Sequence, residues 1–172
     1  MTTVQAPLAA ADEAIRHSRV LVVDDEPTNC LVVQRYLKLD GLANITLITD
    51  SREVVPHVTD NVPDIILLDL MMPHVSGLEV LDALRREVLP GVFLPILVLT
   101  ARADLETKRK ALELGATDFL TKPLDPNDLL PRVRNLLWMR RQAREMQDYA
   151  RRLELDVRQR TQELMESRMA VV

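Results

Sequence analysis

Four short stretches of the chain carry side chains that could do chemistry together. "RVLVVDD" ends an apolar run on Asp24 and Asp25, and "DIILLD" ends another on Asp69. "PILVLT" closes on Thr100, and "DFLTKP" places Lys122 just past a fifth apolar run. A carboxylate at the end of a buried strand costs free energy unless a cation or hydrogen-bond donor meets it. Three carboxylates in one place repel each other and call for a cation. Hard oxygen ligands suit Mg²⁺, which takes one or two carboxylates together with waters and phosphoryl oxygens. Asp69 is then a candidate nucleophile, since a carboxylate can accept a phosphoryl group covalently. Lys122 would neutralise charge on the transferred group, and the Thr100 hydroxyl would hydrogen-bond one of its oxygens.

Each signal has a plainer use on its own. Asp24-Asp25 ahead of Glu26-Pro27 would serve equally as a helix cap. Asp69 before "MMPHVSG" would serve as a turn former, Thr100 as a strand-end hydroxyl, and Lys122-Pro123 as a solvated turn. Their common position relative to the apolar runs is what joins them.

The elements that would bring them together follow from periodicity. Five apolar runs, "RVLVV", "NITLIT", "DIILL", "PILVLT" and "DFLT", alternate with five helical segments. Pro27 and Pro126 suit first helical positions, and Gly41 and Gly115 suit stops. "DSREVVPHVTDN" and "GLEVLDALRRE" read as helices, with Pro56 expected to kink or shorten the first. The alternation predicts an α/β fold, a doubly wound five-stranded parallel sheet flanked by five helices. Ligands in such sheets bind beyond the carboxyl ends of the strands. With strand order 2-1-3-4-5, the flavodoxin-like order, the first and third strands are neighbours, and Asp24, Asp25 and Asp69 converge.

Composition bounds the rest. The chain has 172 residues, 47% of them hydrophobic, enough for one ordinary domain and an appendage. The single cysteine, Cys30, excludes an internal disulfide and fits a reducing cytosol. No apolar run approaches the roughly 18 residues of a membrane span, so a cytoplasmic protein with no membrane partner is expected. Residues 132–172 hold 10 of the 22 Lys/Arg but only 6 of the 26 Asp/Glu, so the acidic body carries a basic tail.

In that tail Met139, Ala143, Met146, Ala150, Leu153, Val157, Arg160, Leu164, Ser167 and Val171 are spaced alternately by four and three. A 3.5-residue repeat predicts a coiled coil, here a parallel homodimer with Met139, Ala143, Met146, Ala150, Leu153, Val157 and Leu164 as its apolar seam. A single amphipathic helix folded back on the body is the other use of such a segment. Arg141/Glu145, Arg144/Asp148, Arg152/Asp156 and Glu154/Arg158 are i,i+4 pairs that brace a solvated helix, and direct contact with nucleic acid is not expected. The expected division is a flexible tail over 1–17, a phosphoryl-accepting domain over 18–138 and a signalling helix over 139–172.

"LVVDDEPTN", "DIILLDLMMPHVSGLEVL", "PILVLTA" and "GATDFLTKPLDPNDLL" together resemble the motifs of two-component response-regulator receiver domains across residues 18–138. The resemblance implies that Asp69 is the phosphoacceptor for a histidine kinase or phosphotransfer protein. It implies that Asp24, Asp25, Asp69 and the backbone carbonyl of Met71 hold Mg²⁺. It makes Thr100 the switch hydroxyl, Lys122 the phosphoryl partner and Phe119 the aromatic switch residue, without the phenol common there. The bond before Pro123 is then expected to be cis. Pro56 and Pro131 depart from the pattern by standing where helix interiors are expected. "RRLELDVRQRTQELMESR" resembles linkers preceding cyclic-di-GMP output domains, HD-GYP phosphodiesterases or diguanylate cyclases, and the expectation is a chain cut before such a domain. A phosphorylation-independent dimerisation scaffold and a small Mg²⁺-dependent phosphatase are the rival readings. The phosphatase would need a deep pocket or a cap insertion, for which the short loops leave no room.

Overall fold

The computed structural model describes residues 13–101 and 104–170. Val171 of the 3.5-residue repeat, and most of the expected N-terminal tail, lie outside those residues. Residues 13–16 are helical, and Ile15 is buried in the core. The described fold therefore includes residues ahead of the expected boundary at residue 18.

Five strands run in chain order: β1 (Arg19–Val23), β2 (Asn44–Ile48), β3 (Ile65–Asp69), β4 (Ile96–Thr100) and β5 (Asp118–Thr121). They pair in parallel in the order β2-β1-β3-β4-β5. The register sets Val20 beside both Asn44's neighbour Ile45 and Ile65, and Asp69 beside Leu99. β3 and β4 are buried at every residue, as unbroken apolar runs inside a two-sided sheet must be. The edge strands are less covered: β2 alternates exposed and half-buried positions up to Ile48, and β5 is fully buried only at Leu120.

The helices are α1 (Pro27–Leu39), α2 (Val54–Asp60), α3 (Gly77–Ala83), α4 (Leu105–Glu113) and α5 (Pro126–Met169). Strand side chains alternate between two cores. Leu21, Val23, Ile66 and Leu68 face Val54 and Val58 of α2, Val80 and Leu81 of α3, and Ala111 of α4. Val20, Val22, Ile65 and Leu67 face Cys30, Val33 and Leu37 of α1, with Leu129, Val133 and Leu136 of α5. Crossovers of both kinds thus cover both faces of the sheet.

The helix ends follow local chemistry. α1 starts with Pro27 at its first position, and Glu26 is its N-cap residue, without a side-chain capping bond. Neither Asp24 nor Asp25 is that cap residue, although Asp24 Oδ1 accepts from the Glu26 amide just ahead of the helix. α3 opens with a capping box: Ser76 Oγ accepts from the Glu79 amide at 3.3 Å, and Glu79 Oε2 accepts from the Ser76 amide at 2.8 Å. Asp104 caps α4 by accepting from the Thr107 amide at 2.8 Å.

Three helices differ from expectation in instructive ways. The segment around Pro56 splits into a 3₁₀ turn over Ser51–Glu53 and the short α2, with Pro56 in the first turn, where its missing N–H costs little. α3 stops at Ala83 and widens into a π turn over Leu84–Val88. There Arg85 is drawn inward to donate to the carbonyls of Leu94 (2.7 Å) and Gly115 (2.7 and 3.1 Å). Pro131, in contrast, does not interrupt α5; it stands on an exposed face of a helix that begins at Pro126 and continues past it.

The described residues fall into two compact units, one through Arg140 and one from Arg141. Arg134 of the first unit is paired with Asp40, with Nε donating to Oδ2 at 2.7 Å. In the second unit Met146, Leu153, Val157 and Leu164 are 74, 47, 62 and 67% exposed, an apolar set with no cover in the single chain. Of the expected helix-bracing pairs, Arg141–Glu145 forms at 2.9 Å, while Asp156 meets Arg160 at 3.4 Å, on the other side from the expected Arg152. Among the described residues no helix is long and apolar enough to cross a membrane.

Candidate functional site

The site lies where β1 and β3 end side by side. Their pairing, Val23 with Leu68, leaves Asp24 and Asp69 as the next residues of adjacent strands. Asp24 and Asp69 are 3 and 4% exposed, whereas Asp25 is open to solvent. One carboxylate oxygen from each of Asp24, Asp25 and Asp69 lies within 4.8 Å of the others.

Each buried carboxylate is held by donors from a different part of the chain. Asp24 Oδ1 accepts from the Glu26 amide at 3.0 Å and from Asn29 Nδ2 at 3.2 Å. Its Oδ2 accepts from Lys122 Nζ at 2.5 Å. Asp69 Oδ1 accepts from the Met71 amide at 3.2 Å, and its Oδ2 faces Lys122 Nζ at 3.4 Å. Lys122 is therefore shared unevenly and stands closer to Asp24.

That geometry sets the protonation of the group. Burial is the main cause that raises the Asp69 pKa above its ordinary value, with Lys122 and the Met71 amide only partly offsetting it. For Lys122 burial alone would lower the pKa; the hydrogen bond to Asp24 and the charge of Asp69 outweigh it, and the ammonium is held charged. Burial and the charge of Asp24 together push the Cys30 thiol up to about 11, so this cysteine is inert at neutral pH. Its Sγ donates to the Asp24 carbonyl at 3.4 Å.

The donor set fits a hard divalent cation. Three carboxylates against one lysine leave an excess of negative charge, all offered ligands are oxygens, and the group opens to solvent through Asp25.

Thr100 ends β4, 1% exposed, and its carbonyl accepts from the Lys122 amide at 2.9 Å. Phe119, on β5, pairs in register with Val98 of β4 and is half-buried, with Lys108 Nζ 4.5 Å from its ring centroid. The Lys122–Pro123 peptide bond is cis. The structure thus gathers Asp24, Asp25, Asp69 and Lys122 at one point, with Thr100 on the adjacent strand end; Phe119 lies one strand further out. An open groove of about 500 Å³ runs beside Lys122, lined by Asn29, Val32, Val33, Tyr36, Pro123 and Leu124.

Two residues at the site were not singled out from the sequence. Asn29 was legible in principle, because "DDEPTN" places it on the first turn of α1 facing back toward Asp24. Ser51 was not: its Oγ donates to the Pro73 carbonyl at 2.9 Å and accepts from the Val75 amide at 3.2 Å, across contacts of more than twenty residues.

Comparison with known proteins agrees with this architecture. Residues 20–134 match the family described as the response regulator receiver domain. The response regulator MprA of Mycolicibacterium vanbaalenii is 41% identical over 119 residues, 69% of this chain and 50% of that protein. The alkaline phosphatase synthesis transcriptional regulatory protein PhoP of Bacillus subtilis is 38% identical over 121 residues, 70% of this chain and 49% of that protein. The chain spans about half the length of these curated relatives. Among solved structures, the chemotaxis protein CheY4 of Vibrio cholerae superposes with a TM-score of 0.64 at 31% identity, covering 70% of this chain and 98% of that one.

Proposed function

The chain belongs to the response regulator receiver domain family, and from that membership and the acidic pocket we propose that it is a phosphorylation-dependent signalling switch in which Asp69 accepts a phosphoryl group from a histidine kinase or phosphotransfer protein. The observation that carries the reading is the convergence of Asp24, Asp25 and Asp69 around the Lys122 ammonium at the end of the sheet.

An Asp69 carboxylate oxygen attacks the phosphorus of a phosphohistidine. The new P–O bond forms as the P–N bond breaks, and the electron pair leaves with the imidazole, which is protonated from solvent. Asp24, Asp25, Asp69 and the Met71 carbonyl would hold Mg²⁺, which supplies charge stabilisation for the phosphoryl oxygens. Lys122 swings from Asp24 toward the new anion, a short movement given that it already stands 3.4 Å from Asp69. The Thr100 hydroxyl donates to a phosphoryl oxygen, and Phe119 fills the space Thr100 leaves. These roles are positioning and electrostatics, which phosphoryl transfer chiefly requires. The groove beside Lys122 gives the phosphohistidine-bearing partner a partly apolar surface next to the acceptor.

The reading divides the chain into a receiver module over 18–138 and a signalling helix over 139–172. In the helix the set Met139, Ala143, Met146, Ala150, Leu153, Val157 and Leu164, exposed apart from the half-buried Ala143, forms the seam of a parallel homodimer that passes the change to an output. The relatives are named response regulators and transcriptional regulatory proteins, and those names favour a transcriptional output. The same names lend no support to the cyclic-di-GMP output read from the tail sequence. The tail itself is assigned to pairing, not to contact with nucleic acid.

Incubation with acetyl phosphate tests the proposal. The intact mass gains one phosphoryl group in the presence of Mg²⁺ and none when a chelator removes it; chelator-insensitive labelling contradicts the acidic pocket as the metal site.

A further inference from the structure

The loop that follows Asp69 is closed at its base, where the Gly77 amide donates to the Leu70 carbonyl at 3.0 Å. At its tip the Val75 amide lies 2.9 Å from the Pro73 carbonyl, and His74 between them has φ +68°. A hydrogen bond from residue i+2 back to i around a positive-φ residue is a γ-turn of the rare, strained kind. A non-glycine residue in such a conformation persists only where its surroundings over-determine it.

Val75 packs against the core on this side of the sheet, and among the described residues the Ser51 side chain, from the 3₁₀ turn after β2, hydrogen-bonds the turn directly. Ser51 follows the edge strand β2 and is 4% exposed. Its hydroxyl donates to the Pro73 carbonyl at 2.9 Å and accepts from the Val75 amide at 3.2 Å, bracketing His74 on both sides. One hydroxyl therefore reinforces both ends of the strained turn. The same loop carries Met71, whose amide donates to Asp69 Oδ1.

We infer that Ser51 is a positioning residue for the acceptor site: by locking the turn at His74 it fixes the loop so that the Met71 carbonyl is presented toward the three carboxylates. The inference rests on the reading of Met71 as a metal-holding carbonyl. Removing the hydroxyl leaves Pro73 and Val75 bonded only to each other, and the turn can relax. The loop then populates conformations in which the Met71 carbonyl is turned away. Metal affinity falls by the fraction of molecules with the loop in place.

The test is a titration of the phosphate-free protein with MgCl₂ alone, followed by NMR at the backbone amides of Asp25 and Met71. Wild type, Ser51→Ala and Val58→Ala are compared. Val58 is fully buried in α2 and makes none of the hydrogen bonds that hold the turn, so its truncation destabilises the same core without removing the Ser51 tie. Ser51→Ala is expected to raise the Mg²⁺ dissociation constant at least fivefold, and Val58→Ala to leave it within twofold of wild type. A Ser51→Ala value within twofold of wild type, or an equal shift in Val58→Ala, overturns the positioning role and leaves the acceptor site standing. A wild type whose amides do not respond to Mg²⁺ overturns the metal site itself, and the role of Ser51 with it.

Discussion

Gly77 has room for no side chain because the end of the Asp69 strand occupies the space. A Cβ on Gly77 would lie 2.6 Å from Leu70 Cα and 2.9 Å from the Asp69 carbonyl carbon, with the Asp69 carbonyl oxygen closer still. The first residue of α3 and the candidate phosphoacceptor are thus packed backbone against backbone. The sequence places this glycine at the head of the helical segment "GLEVLDALRRE"; in the fold it is the reason the helix can start directly beneath the acceptor.

Gly77→Ala is therefore expected to cost about 2–3 kcal/mol, as overpacking against rigid backbone does. It also displaces Asp69 from Lys122, so phosphorylation by acetyl phosphate slows by at least tenfold. Urea denaturation and intact-mass kinetics on the same preparation check both halves. A Gly77→Ala protein of unchanged stability contradicts the packing.

The capping box ahead of α3 carries a pH signature. The Ser76 amide and hydroxyl hold the exposed Glu79 carboxyl below its ordinary value. A carboxyl with a depressed folded-state pKa stabilises the fold above its unfolded value, and that contribution is lost as pH falls through the folded value. Ser76→Ala is expected to cost about 1 kcal/mol at pH 7. The difference from wild type narrows below the ordinary glutamate range. Denaturation midpoints across that range test it; a difference constant down to pH 3, roughly one unit below that range, would contradict the link.

The switch predicts a coupled movement. In the phosphate-free fold Lys108 stands over the Phe119 ring, 4.5 Å from its centroid. With a phosphoryl mimic at Asp69, Thr100 moves toward the new group and Phe119 turns inward, away from Lys108. NMR of the two side chains, with and without the mimic, follows both. A Phe119 ring that keeps one rotamer while Thr100 moves breaks the coupling.

Much of this was legible because it is local. The unbroken apolar runs of β3 and β4 announce strands covered on both sides, and the acids directly after β1 and at the end of β3 mark the functional edge. The alternation of strands and helices carried a parallel sheet covered on both faces; the meeting of Asp24 with Asp69 followed only once the order 2-1-3-4-5 was assumed, and the structure has that order. What escaped depends on contacts between distant residues. The π turn at Leu84–Val88 accompanies the reach of Arg85 to Leu94 and Gly115, and nothing in "LRREV" marks it. The tie from Ser51 to Pro73 and Val75 joins two connections that no periodicity links. The uneven sharing of Lys122 is a matter of ångströms, below what spacing can resolve.

The signalling helix is the part most open to a single substitution. Leu153 lies in the middle of the proposed seam and is half-exposed in the single chain. Leu153→Glu places charges at the dimer core and is expected to abolish association without slowing phosphorylation of Asp69. Light scattering with and without acetyl phosphate checks it. A wild type that remains monomeric in both states removes the coiled coil from the mechanism.

The central claim is that Asp69 takes the phosphoryl group. Asp69→Asn keeps the shape of the side chain and removes the nucleophile. Wild type and Asp69→Asn are incubated with acetyl phosphate and Mg²⁺, and intact masses are recorded, with peptide mapping of any adduct. The account predicts one phosphoryl group on wild type, carried by the peptide containing Asp69, and none on the variant. Equal labelling of Asp69→Asn at another residue, or a wild type that takes no label, would contradict it.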